Sequence, residues 1–189
     1  MSVLVYTESE KGKFKKNAFE AASYASAVAK MMDTTVTAIA FNSTENESLG
    51  EYGVSKVMNV ADDSLTTFNA GAYAASIAEA VKSTDAKVVI LSSSTDTKYL
   101  APLLSAKLSA GYAPNVVQAP DSASPFTVKR TAFSNKGFAH TQIDTDIKIV
   151  GVSNNAFGAH ENKVDVSVED ISGTAGSATN DTKSVEIDK

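Results

Sequence analysis

The chain has 189 residues, 43% hydrophobic and 21% charged, which fits one folded globular domain and excludes wholesale disorder, a collagen-like chain and a coiled coil. Twenty-two acidic against 17 basic side chains leave a net charge of −5, and Arg130 is the only arginine. A nucleic-acid partner, which needs clustered Arg and Lys, is therefore not expected, and the absence of cysteine removes disulfides, thiolate metal sites, iron–sulfur ligation and Cys nucleophiles.

In chain order, residues 3–6 (VLVY) form a short apolar run of the kind that becomes a buried parallel strand. After the basic turn at 11–16 (KGKFKK), apolar residues recur at helical spacing from Phe14 through Ala18, Ala21, Ala22, Ala25 and Val28 to Met32. Residues 34–41 (TTVTAIAF) and 55–61 (SKVMNVA) predict two further strands, 71–82 a second amphipathic helix, 87–91 (KVVIL) a core strand, and 99–109 a third helix. From Asn115 onward helical periodicity disappears. Residues 126–133 and 138–143 flank Ser134-Asn135-Lys136-Gly137, a hairpin signal, and 147–152 (IKIVGV) follows as another strand.

Alternating strands and helices imply a mostly parallel, doubly wound Rossmann-like sheet with helices on both faces. The later strands read as an antiparallel extension. Val164, Val166 and Val168 alternate with polar residues as in a half-buried strand, and the small, polar segment 172–183 reads as a flexible linker. No apolar run reaches the about 18 residues that span a bilayer, and the chain opens directly on a strand, so a bacterial cytoplasmic setting is expected.

Phosphate cradles are missing: neither GxGxxG nor GxxxxGK[ST] occurs, and the turn after the first strand (TESEKGKF) carries carboxylates where a dinucleotide loop needs glycines. Ser92 to Thr97 lie at the carboxyl end of a core strand; their hydroxyls suit a helix cap first and a phosphate second. His140 and His160 are the only histidines, 20 positions apart with no zinc-type spacing, so they are expected to be ordinary side chains. Asp62-Asp63 reads as a strand-ending turn, with a metal or ribose contact as the other option. Arg130 suits either carboxylate pairing at an interface or an internal ion pair.

Four blocks in this order resemble the electron transfer flavoprotein alpha subunit, in its N-terminal domain. They are MSVLVYTESEKGKFKKNAFEAASYASAVA, EYGVSKVMNVADDSL, KVVILSSSTDTKYLAPLLSAKLSAGYAPNVV and VKRTAFSNKGFAHTQIDTDIKIVGVSNNAF, together covering residues 1 to about 158. The resemblance implies an adenine nucleotide alpha hydrolase-like sheet over residues 1–171, with 172–189 as an arm leading toward an FAD-binding domain that this sequence does not include. It implies an electron carrier with no catalytic residues of its own and no cofactor- or metal-binding residues in this chain. FAD would be held by the complete heterodimer with a beta subunit, and AMP would sit in that partner. Electrons would pass from acyl-CoA dehydrogenases to a quinone reductase.

On this resemblance the domain is a scaffold, Arg130, Asn135 and Gly137 are candidate interface residues, and the isolated chain could form a homodimer. The competing reading is a nucleotide-binding module like the universal stress proteins or ATP pyrophosphatases, which share the β/α order.

Overall fold

The computed structural model describes residues 2–174. A nine-stranded sheet divides two apolar cores. In chain order its strands are β1 (Ser2–Tyr6), β4 (Val36–Phe41), β5 (Lys56–Val60), β6 (Ala86–Ser92), β7 (Gly111–Gln118), β8 (Thr127–Ala132), β9 (Gly137–Gln142), β10 (Lys148–Val152) and β11 (Ser167–Ile171). Two short strands, β2 (Ser9–Glu10) and β3 (Lys13–Phe14), form a separate ribbon.

The spatial order is β11-β5-β4-β1-β6-β10-β7-β8-β9. The first seven strands run parallel, and β8 and β9 are antiparallel. This is the mostly parallel, doubly wound architecture that the alternation predicts. Helix α1 (Lys16–Met31) covers one face, its alanines and Val28 packing on Val3, Val5, Val88 and Ile90. Helices α2 (Ala70–Ser83) and α3 (Thr95–Leu108) cover the other, with Ile77, Val81, Leu100 and Leu104 against Leu4, Ile39, Val89 and Ile149. Because both faces of each central strand are covered, β1 and β4 are buried at every position.

Several expectations need correction. Residues 147–152 do not belong to an antiparallel extension: β10 enters between β6 and β7, parallel to both, and four of its five residues are buried. The antiparallel part is only the β8–β9 ribbon, an excursion between β7 and β10. Strand β7 gave no strand signal, since Pro114 lacks an amide and Asn115 sits at φ 56°, where the register with β10 slips. Helix α3 starts at Thr95 rather than 99, because Ser94 and Thr97 form a capping box.

The valine alternation at 164–168 is also displaced. Val164 and Val166 pass beside Gly50, the amide of Val164 donating to the Gly50 carbonyl at 2.9 Å, while the strand itself begins at Ser167 and leaves Val168 40% exposed. The basic segment 11–16 is more than a solvated turn. Lys11 and Gly12 take φ of 52° and 81° between β2 and β3, and the Gly12 carbonyl accepts the Thr44 amide at 2.9 Å. Of the predicted linker 172–183, the described part is seated: the Thr174 amide donates to Ser76 Oγ at 3.0 Å. The rest of it lies outside the described residues.

Candidate functional site

The antiparallel ribbon forms one end of the sheet. Arg130 on β8 pairs with Val116 of β7 on one side and Ala139 of β9 on the other. Its Nε donates to Thr141 Oγ1 at 2.8 Å, and it makes no ion pair among the described residues. The connecting turn is strained: Phe133, Ser134 and Asn135 all have φ between 51° and 65°. A phenylalanine in left-handed backbone is a costly choice, and this one is 84% exposed. Gly137 lies outside the turn as the first residue of β9, opposite Ala132, and its φ is not positive.

Phe138 is 63% exposed beneath Lys129, whose Nζ stands 4.5 Å from the ring centre. The stretch 126–143 carries Lys129, Arg130 and Lys136 and no acidic residue, although the whole chain has a net charge of −5.

A second polar concentration lies at the carboxyl ends of β1, β6 and β10. Glu8, just past β1, is only 2% exposed. Its Oε1 accepts from Ser92 Oγ and from Asn17 Nδ2, the latter at 3.2 Å. Lys15 Nζ approaches Oε2 to 3.8 Å. On the sheet face of α2 and α3, Phe41 stacks on Tyr73 at 3.7 Å and Tyr6 packs edge-on to both. Burial, and then the nearby Glu8 carboxylate, push the Tyr6 phenol well above its ordinary pKa; burial, aided by Asp96, takes Tyr73 up to about 12.

The electron transfer flavoprotein domain profile matches residues 3–188. The chain belongs to the electron transfer flavoprotein family. No curated protein matches the sequence. The family match spans both the parallel core and the ribbon, which belong to one nine-stranded sheet.

Several of the other singled-out residues have structural partners. Ser94 caps α3, and Ser92 is bound to Glu8. Asp62 caps the short helical turn Asp63–Leu65, its Oδ1 accepting the Ser64 amide at 2.9 Å. His160 places its ring nitrogen 2.8 Å from the Phe157 carbonyl, and His140 is exposed on β9 opposite Lys129. No group of three His, Cys, Asp or Glu side chains among the described residues could hold a metal, and no helix among them is long and apolar enough to cross a membrane.

Sequence reasoning treated Glu8 only as an obstacle to a dinucleotide loop and passed over Asn17 and Glu20. A carboxylate two residues past the apolar run VLVY is the signal that could have marked Glu8, since that is where a parallel sheet presents side chains to a crevice.

Proposed function

We propose that this domain is the alpha-type scaffold of an electron transfer flavoprotein and that it joins a beta subunit through the β8–β9 ribbon. The observation that carries the reading is the pair of exposed phenylalanines, Phe133 and Phe138, on a cationic edge ribbon with a strained turn. Soluble monomers seldom display such a patch, and it suits a partner surface that is acidic and apolar. Arg130, Asn135 and Gly137 belong to the same ribbon, Arg130 within it and Asn135 at its tip.

On this reading the domain performs no chemistry itself. FAD is held by the complete heterodimer rather than by this chain alone, with AMP in the partner, and the assembly carries electrons from acyl-CoA dehydrogenases to a quinone reductase in a bacterial cytoplasm. Without its partner, the ribbon is where two copies of the chain would associate. Titrating the purified chain with an electron transfer flavoprotein beta subunit tests this. A one-to-one complex that Phe138→Ser weakens by about tenfold or more is expected. The absence of a complex, or undiminished affinity of the folded variant, overturns the assignment.

A further inference from the structure

Helix α3 is apolar on both sides. Its inner face, Leu100, Ala101 and Leu104, is buried against the sheet. Tyr99, Pro102, Leu103 and Ala106 stand at i, i+3, i+4 and i+7 on the outer face, and all are exposed, Tyr99 to 66% and Leu103 to 44%. Apart from Val168 and the two phenylalanines of the ribbon, Tyr99 and Leu103 are the only exposed large apolar side chains among the described residues. An apolar stripe of this kind suits a contact rather than water.

The stripe is framed by positive charge. At 3.6 residues per turn, Lys98 falls on one flank and Lys107 on the other, both exposed, and beyond Asp96 in its first turn α3 has no acid. Pro102 adds a second demand. Without an N–H it removes the helical partner of the Lys98 carbonyl, which leaves an acceptor beside Tyr99 for a backbone donor from elsewhere. The occupant that answers these features has branched apolar side chains, carboxylates and free backbone amides.

The chain itself carries such a segment. Ser184-Val185-Glu186-Ile187-Asp188 alternates two β-branched residues with two acids and follows directly on the small, polar stretch 172–183. In an extended chain Val185 and Ile187 would be about 6.6 Å apart, close to the about 6 Å rise from Tyr99 to Leu103. The approach is short as well. Thr174 is bonded to Ser76 on α2, and α2 packs against α3. The ten residues 175–184 can span about 33 Å, while packed helices lie about 8–10 Å apart and a 14-residue helix is about 21 Å long. Such a tether also raises the local concentration to about the millimolar range, so a small contact suffices. The free edge of β11 is the poorer seat: it carries Glu169 and Asp170, and like charges on neighbouring strands oppose pairing.

We propose that residues 184–188 dock on the outer face of α3, with Val185 and Ile187 on the stripe of Tyr99, Pro102 and Leu103 and with Glu186 and Asp188 within reach of Lys98 and Lys107. The contact is made within one chain, so it stands whether or not a partner subunit binds the ribbon.

A single spin label tests it in the full chain. Lys189→Cys supplies the only thiol, because the sequence has no cysteine. A nitroxide on that thiol should broaden the amide resonances of residues 98–107, and the broadening should survive dilution with unlabelled chain. Leu103→Glu, at an exposed position, should remove the effect, and so should Val185→Ser combined with Ile187→Ser. The amides of residues 185–188 should exchange about tenfold more slowly in the parent than in Leu103→Glu. Broadening confined to β11 would overturn the proposal in favour of strand addition, and broadening lost on dilution would overturn it in favour of a second copy. Broadening nowhere, or unchanged in both folded variants, would overturn it outright.

Discussion

The carboxylate of Glu20 and the amide of Gly158, 138 positions apart in the chain, meet at 2.8 Å. The same carboxylate accepts the amides of Asn155 and Phe157, also at 2.8 Å, and is buried to 7% exposure. The side chain therefore acts as a fixed internal anion for the loop that follows β10. Charge-assisted bonds of this kind are about twice as strong as neutral ones. Glu20→Ala should lower the unfolding free energy by about 3 kcal/mol and Glu20→Gln by about 2, since the amide nitrogen of Gln would face a backbone N–H. Urea midpoints unchanged in both variants would refute this role.

Gly53 permits a contact that no other residue allows. Its φ is 86°, and a Cβ there would lie 2.2 Å from Ser26 Oγ on α1. Gly53→Ala is expected to cost about 2–4 kcal/mol, part clash and part backbone strain. Adding Ser26→Ala removes the Oγ contact but keeps the Ser26 Cβ 2.7 Å away, so it should restore only part of the clash portion. Full recovery in the double variant would show that the left-handed backbone carries no cost.

Within the ribbon, stability and association should separate. Arg130→Ala removes the bond to Thr141 and should cost about 1 kcal/mol of fold stability. Phe133→Ser and Phe138→Ser alter exposed rings and should stay within about 0.5 kcal/mol of the parent while weakening subunit association. Thermal unfolding beside titration with the beta subunit measures both. A phenylalanine variant that loses stability but keeps its affinity would make the patch part of the fold rather than of an interface.

High pH should unfold the domain. Burial raises the phenols of Tyr6, Tyr24, Tyr73 and Tyr112, with Tyr73 at about 12. In the unfolded chain a tyrosine ionises near about 10. The folded state holds these protons more tightly, so their stabilisation is complete below about pH 10 and declines as the pH rises toward and through the folded values. Phenolate absorbance from these four rings should therefore appear together with loss of the helical circular dichroism. Full, reversible ionisation before any loss of helix would contradict the burial of these rings.

Much of the parallel core was legible because VLVY, AIAF and VVIL are continuous apolar runs and α1 and α2 keep one periodic face. The place of β10 was not. Periodicity marks IKIVGV as buried but carries no information about which neighbours it lies between, and that depends on contacts with residues 88–92 and 111–116. Strand β7 was hidden by Pro114, and β11 by valines that pack beside Gly50 before the strand starts. The ribbon was visible from its turn residues, although Gly137 fell into the strand. Ser92 was placed at the end of its strand, but its contacts with Glu8 and Asn17 were not visible, because the three come together only when β1, α1 and β6 assemble.

The late entry of β10 also governs how the chain must be built. As the polypeptide emerges during synthesis, β6 presents a bare edge, and the β7–β9 portion has no strand pairing with it until residues 148–152 arrive and bond to both. The nascent domain is thus two separate sheets with facing open edges, and bare edges are where chains pair wrongly with one another. The same five residues that complete the sheet therefore end its period of greatest exposure to aggregation.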